Sequence, residues 1–514
     1  MPVSIALLSL FLAQHVPQQP SGRGQRLSIT TVETEAVKPE PAHALNEGKT
    51  SVTRHSIQLN GKTLNYTATA GMMPIKNDHG DIEANLFYVA YTLDGVSDIS
   101  KRPLMIAFNG GPGSASVWLH MGCIGPKRVR MNDDGSLPAP PYQLVDNDQT
   151  WLDQTDLVFV DPVGTGYSRA ANETLKKHFD GLQGDIESVG EFIRLYLSQN
   201  ERWASPLFMV GESYGTTRAA NLSGYLIEHG IAFNGIALLS TVLNFQTISF
   251  NRGNDLPYLL YLPSYTATAF YHKKLAPELE RNLETTLKES ERWAESGYNE
   301  ALVKGDRMTD AEYKAAVAKL ARLTGLDPKY VDDSNLRIEL MHFLRELMRD
   351  QKTMAGRLDS RLTGPAPLDA SDSIDFDPSM TDIRPPYTAM FNQYVRSELK
   401  YYDDSTYYVL GGGIAPWDWG TQNENRYVNV SESLRNAFAK NPHMKLFVGC
   451  GYYDMATPYF AAEYTFSHMG LEPSLRKNIS FHYYTAGHMF YIDVPSHKKL
   501  KTDITGFIHD ALAE

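Results

Sequence analysis

The apolar positions of this chain fall into two rhythms. Short, nearly unbroken apolar runs recur at 103–108, 156–160, 207–210, 235–239, 444–451 and 479–484. Runs of that length without alternation predict strands covered on both faces. Between them lie stretches with helical spacing. Residues 186–197 place Val189, Phe192, Ile193, Tyr196 and Leu197 on one broad stripe, and 496–512 reads as a final helix. Strands alternating with helices predict a doubly wound α/β core, its central sheet mostly parallel and flanked by helices.

Two regions depart from that rhythm. Ahead of the first apolar run, Asn60-Gly61 sits between two short alternating stretches, a hairpin signal. Gly71-Met-Met-Pro74 and Asp78-His-Gly-Asp81 read as turns, and 84–93 as a strand, so the core opens on an antiparallel portion. After about Phe250 the chain becomes aromatic and is interrupted by Pro257 and Pro263. Charged helical runs follow at 276–296, 310–323 and 334–348. Residues 255–365 are therefore expected to form a mainly helical insertion over the carboxyl edge of the sheet. It would either cover a cleft or serve a structural or dimerising purpose. The Pro- and Asp-rich stretch 365–386 reads as an irregular crossing. The expected organisation is a possible signal segment and disordered lead-in over 1–50, core over 51–254, insertion or cap over 255–365, and core again over 366–514.

Composition changes this picture little. The 514 residues carry a formal net charge of −12, which argues against a nucleic-acid partner. The two cysteines, Cys123 and Cys450, are either one bridge or two buried thiols. No metal-ligand cluster or organic-cofactor motif is present; Gly164-Thr-Gly166 lacks the rest of a dinucleotide fingerprint. The apolar residues near Met1 resemble a secretory signal core without a preceding Lys or Arg, and are too short to span a membrane. A secreted or periplasmic protein is expected if they are a signal, a cytoplasmic one otherwise.

The chemistry gathers at strand ends. Gly211-Glu-Ser-Tyr-Gly215 follows an apolar strand and precedes a helical stretch, the Gly-x-Ser-x-Gly pattern of an exposed nucleophile. Asn109-Gly-Gly-Pro-Gly113 follows another strand and can offer backbone N–H groups to an oxyanion. Asp454 and His488 each stand just beyond a later strand. The order Ser213, Asp454, His488 is that of α/β-hydrolase triads: His488 takes the serine proton, and Asp454 orients the imidazole. Gly111 and Tyr214 are the expected oxyanion donors. Asp81, Asp161 and Asp418 are fallback acids; His482 and His497 are the nearby alternatives to His488. Trp417 and Trp419 make a weak case for lining a pocket.

Taken together, these motifs resemble the serine carboxypeptidase family. The matches are Asn109-Gly-Gly-Pro-Gly113, Asp161-Pro-Val-Gly-Thr-Gly-Tyr-Ser168, Gly211-Glu-Ser-Tyr-Gly215, the aspartate after Gly451, and Ala486-Gly-His-Met489. The resemblance implies an α/β-hydrolase fold; in the absence of any metal-ligand or cofactor motif, no cofactor and no metal are expected. The resemblance also implies removal of C-terminal residues from peptides with a free C-terminus, and binding of the substrate carboxylate by Asn109 and a protonated Glu212. The chain departs from the family pattern in three places. Ser114-Ala-Ser116 replaces Cys-Ser-Ser, Phe108 replaces a tryptophan, and Cys123 stands where many members carry a second glutamate. The missing cysteines suggest a bacterial-type branch. Cys123 keeps a second reading open, an esterase or acyltransferase on the same triad. A non-catalytic binding protein on a hydrolase scaffold is the third.

Overall fold

The computed structural model describes residues 48–513, apart from 413, 415 and 425. The expected signal and most of the lead-in lie outside the described residues. The central sheet uses nine long strands: β1 (Thr50–Leu59), β2 (Lys62–Lys76), β3 (Ile82–Leu93), β4 (Leu104–Phe108), β5 (Asp156–Val160), β6 (Leu207–Ser213), β7 (Gly235–Thr241), β8 (Lys445–Gly451) and β9 (Ile479–Tyr484). Their spatial order is β1-β2-β3-β5-β4-β6-β7-β8-β9, with a short strand at Arg169–Ala170 pairing with β3. The first three strands and the β3–β5 pair are antiparallel; every later pair is parallel. This is the α/β-hydrolase fold.

Apart from the edge strand β9, the apolar runs form strands because both of their faces are buried. In β4, Leu104, Ile106 and Phe108 enter one core while Met105 and Ala107 enter the other. In β6 the division is Leu207 and Met209 against Phe208 and Val210. Such strands must be apolar at every position.

The opening hairpin turns at Asn60 and Gly61, both with positive φ, as an Asn-Gly turn requires. Its strands are longer than expected. Gly71-Met-Met-Pro74 is no turn but lies inside β2, paired with β3 throughout and with β1 at Gly71. The proline and glycine signals there yield to a strand that is hydrogen-bonded on both edges.

Between β7 and β8 the chain leaves the sheet. Helices α1 (Leu256–Tyr271), α2 (Leu283–Trp293), α3 (Asp310–Thr324) and α4 (Leu340–Glu346) are followed by a small hairpin, Thr353–Ala355 with Thr363–Pro365. Two expectations fail here. Pro263 lies within α1 rather than breaking it, because Tyr258, Leu260, Tyr261, Leu262 and Tyr265 bury the helix deeply. Residues 378–386 are no irregular crossing but the start of α5 (Pro378–Ser397), whose interior holds Pro385 and Pro386. Asp377 caps that helix, accepting from the Ser379 N–H at 3.0 Å, and Tyr387, Phe391, Tyr394 and Val395 anchor it in the core.

Candidate active site

Ser213 stands where β6 ends and the helix Tyr214–Glu228 begins. Its backbone is held at φ 61°, ψ −131°. A residue with a side chain stores about 1–3 kcal/mol in such a conformation. The turn closes only because its flanks lack side chains. A Cβ on Gly211 would lie 2.1 Å from the Gly215 carbonyl oxygen, and one on Gly215 would lie 2.9 Å from that of Phe108. The loop after β4 presses equally close. A Cβ on Gly110 would lie 2.4 Å from the Tyr214 nitrogen. The amides of Gly111 and Tyr214 therefore belong to adjoining turns, at the positive end of a helix.

The imidazole arrives from the loop after β9. His488 Nδ1 is 2.8 Å from Asp454 Oδ2. Asp454, from the loop after β8, is fully buried and saturated with donors. The Ala456 and Thr457 N–H groups donate to Oδ1 at 2.7 and 2.9 Å, and the Thr457 hydroxyl to Oδ2 at 2.8 Å. Burial pushes the His488 pKa down, but Asp454 and then Glu212 outweigh it, leaving the imidazole above its usual value. The end of β7 ties the two loops together. Thr241 pairs with Ser213, and the Ser240 hydroxyl donates to the His488 carbonyl at 2.6 Å.

Glu212 and Asn109 also meet. The Asn109 amide donates to Glu212 Oε2, while its own Oδ1 accepts from the Leu119 N–H at 3.0 Å. Oε1 of Glu212 lies 3.4 Å from His488 Nε2. Burial pushes the Glu212 carboxyl above the usual range; His488, Tyr491 and Asn109 pull the other way, and Asp454 adds to the rise. Seven residues named from sequence are thus collected at one end of the sheet, at the turns after β4, β6, β8 and β9.

The alternatives lie elsewhere. Asp81 is exposed in the β2–β3 turn, and Asp418 accepts from the Gly420 N–H. Asp161 is buried behind the β4 loop, accepting from the Ser116 N–H at 2.8 Å. His482 stacks on Phe447, and His497 Nε2 contacts the Cys123 carbonyl at 2.9 Å. Trp417 and Trp419 pack edge-on against Tyr214. Cys123 and Cys450 are both free and buried. Burial first, and then the Glu212 charge, holds the Cys123 thiol well above the ordinary range.

Sequence reasoning missed the supports. Asp185 receives both the Arg218 guanidinium and the Tyr214 hydroxyl, and Arg218 reaches on to the Asn109 carbonyl at 2.6 Å. Arg361 bridges Asp359 and Asp493 and donates to the Thr485 carbonyl; Asp359 in turn accepts from the Gly487 N–H. This clamp steadies the histidine loop from the insertion side, where the Leu358 carbonyl also accepts from the His488 N–H. Tyr491 donates to Glu212 at 3.1 Å. Tyr214 and Arg218 stand four residues apart on one helix, so helical spacing offered a faint signal there; the others offered none.

Comparison with known proteins bears on the family and the fold. The chain matches the serine carboxypeptidase family (Peptidase_S10) over residues 59–490. It is 27% identical over 197 residues to serine carboxypeptidase-like 20 of Arabidopsis thaliana, covering 33% of this chain and 37% of that one. It is 29% identical over 174 residues to the pheromone-processing carboxypeptidase KEX1 of Saccharomyces cerevisiae strain JAY291, covering 31% and 22%. These alignments span well under two thirds of the relatives' length. The crystal structure of KEX1Δp, a prohormone-processing carboxypeptidase from Saccharomyces cerevisiae, superposes with a TM-score of 0.54 at 17% identity. It covers 86% of this chain and 91% of that one. With its family match running from β1 to just past His488, the chain belongs to the serine carboxypeptidase family.

Proposed function

We propose that this protein is a serine-type carboxypeptidase that hydrolyses the C-terminal peptide bond of peptides through an acyl-enzyme on Ser213. One observation carries the reading: the buried Asn109–Glu212 pair lies directly beside the imidazole that would activate the serine. An amide donor next to a carboxyl that burial holds above the usual carboxylate range suits the reception of a carboxylate. Placed against a nucleophile, it selects the bond nearest a free C-terminus.

The chemistry follows from the proton positions. With Nδ1 turned to Asp454, His488 presents Nε2 as the base. Ser213 Oγ adds to the scissile carbonyl as its proton passes to Nε2. The N–H groups of Gly111 and Tyr214 hold the oxyanion. Collapse breaks the C–N bond, and the departing amino acid takes the proton from His488. Water then repeats the sequence on the ester, releasing the shortened peptide and restoring Ser213.

The test is product mass from a short N-blocked peptide with a free C-terminus, beside its C-terminal amide. Stepwise loss from the free acid alone is expected; equal cleavage of the amide would remove the exopeptidase reading. A second reading, ester hydrolysis or acyl transfer, draws on the thiol at Cys123 near Glu212. It predicts turnover of simple esters with neither peptide cut.

Both cysteines being free thiols supports a bacterial-type branch without the usual disulfides. The apolar start supports export, testable by N-terminal sequencing of the mature protein. Among the described residues no helix is long and apolar enough to cross a membrane.

A further inference from the structure

The two oxygens of Glu212 have different neighbours. Oε2 accepts twice, from the Asn109 amide and from the Tyr491 hydroxyl at 3.1 Å. Oε1 is left facing Nε2 of His488 at 3.4 Å. Tyr491 sits three residues after His488 in the turn Phe490–Ile492, and only 1% of its surface is exposed. That turn is fixed at both ends. The Ile492 N–H donates to the Met489 carbonyl at 3.0 Å, and Asp493 caps the last helix, Val494–Leu512, while also receiving Arg361. One short segment thus delivers an imidazole to one oxygen of Glu212 and a phenol to the other.

A carboxyl oxygen that already accepts two hydrogen bonds is a poor place for a proton. The acidic proton of Glu212 is therefore directed to Oε1. That oxygen looks toward the imidazole and the nucleophile turn, where a substrate's terminal carboxylate would need a donor.

Building on the carboxypeptidase reading, we propose that Tyr491 is a positioning residue for recognition of the substrate's terminal carboxylate. Its hydroxyl occupies Oε2 of Glu212, directs the acidic proton to Oε1, and sets the pH above which carboxylate recognition is lost. The phenol stabilises the ionised carboxyl, so it brings that loss to lower pH.

The other groups around Glu212 come from every side. Asn109 donates from the β4 loop, while His488 and Asp454 act from the loops after β9 and β8 with opposite effects. Cys123, from the turn before Pro126, and Tyr387, from α5, stay neutral because burial raises both. Tyr387 also supplies an internal control. Its hydroxyl is buried near Glu212 yet has no hydrogen-bond partner among the described residues.

The test compares wild type, Tyr491→Phe and Tyr387→Phe on a free-acid peptide and on a simple ester lacking a carboxylate, from about pH 4 to 9. Fluorophosphonate labelling of Ser213 confirms that each variant retains a working triad. In Tyr491→Phe, Glu212 keeps its proton longer. The alkaline rise in KM for the free acid should move up by about one pH unit, the scale of one hydrogen bond to a charged group. The ester has no carboxylate to be recognised, so its KM should show no alkaline rise in any of the three enzymes, and Tyr387→Phe should track wild type on both substrates. An unmoved free-acid limb in Tyr491→Phe, a downward shift, or a shift shared by the ester would overturn the assignment. So would an equal shift in Tyr387→Phe. A wild-type enzyme with no preference for the free acid is a different failure: it removes the carboxypeptidase reading, and this inference with it.

Discussion

Oε1 of Glu212 lies 3.4 Å from Nε2 of His488. The group proposed to read the substrate's carboxylate and the proposed base therefore share one electrostatic environment. Burial raises the pKa of Glu212, whereas His488 is raised by Asp454 and Glu212 against burial. Neither titrates independently of the other.

Glu212→Gln should consequently move two things at once. Losing the acidic proton weakens binding of a free-acid peptide, raising KM about 10- to 100-fold while kcat changes little. Losing the negative charge also lets the His488 pKa fall. The acid limb of kcat/KM should shift to lower pH for every substrate, simple esters included. Steady-state kinetics on a peptide and an ester across pH would test both effects. Equal loss of peptide and ester turnover would count against the carboxylate-binding role.

The backbone of Ser213 leads to a second expectation. Ser213→Ala should fold normally and lose turnover by about four to six powers of ten. It keeps the positive φ of 61° and so keeps the strain. Ser213→Gly should relieve that strain and melt above Ser213→Ala, the difference corresponding to about 1 kcal/mol after glycine's added unfolded-state entropy. Calorimetry on the two inactive variants separates the terms; an alanine variant as stable as the glycine one would mean the turn is unstrained.

The same residues explain how far the sequence could be read. A strand such as β5 was legible to the residue because both faces are buried and the apolar run is the strand. Ser213, Asp454 and His488 were legible as a group because each directly follows such a run. Local rules failed where tertiary burial outweighs them: at Gly71 inside a doubly paired strand, and at Pro263, Pro385 and Pro386 inside helices held by aromatic anchors. Tyr491 was illegible for another reason. Its partner, Glu212, lies 279 residues away, and nothing in the spacing of either announces the contact.

Asp454→Asn should be far more damaging than its small change in shape suggests. The carboxylate accepts from His488 Nδ1 and three further donors. An amide offers an N–H on one side, which favours the wrong imidazole tautomer. A drop in kcat of about 10⁴ is expected with the fold retained. A loss below tenfold would show that another group orients the imidazole.

Asp161 is the counter-example, a buried acid near the site that never reaches His488. It holds the β4 loop through the Ser116 N–H, in a space left by Gly166, where a Cβ would lie 1.8 Å from its Oδ2. Burial raises its carboxyl from 3.8 to about 7, against the hydrogen bonds from Ser116 and Tyr407. The sign of the linkage follows from that rise. Below the unfolded value both states are protonated and the group contributes nothing. As pH climbs toward 7 the unfolded chain releases the proton first, so stability falls, by about 4 kcal/mol in total, and then levels off. Asp161→Asn keeps an oxygen for the Ser116 N–H and removes the titration. It should match wild type near pH 4, melt higher than wild type at pH 8, and keep turnover within about tenfold. Melting curves at the two pH values decide the matter: a variant that loses stability with rising pH as steeply as wild type would show that Asp161 is already ionised in the folded protein.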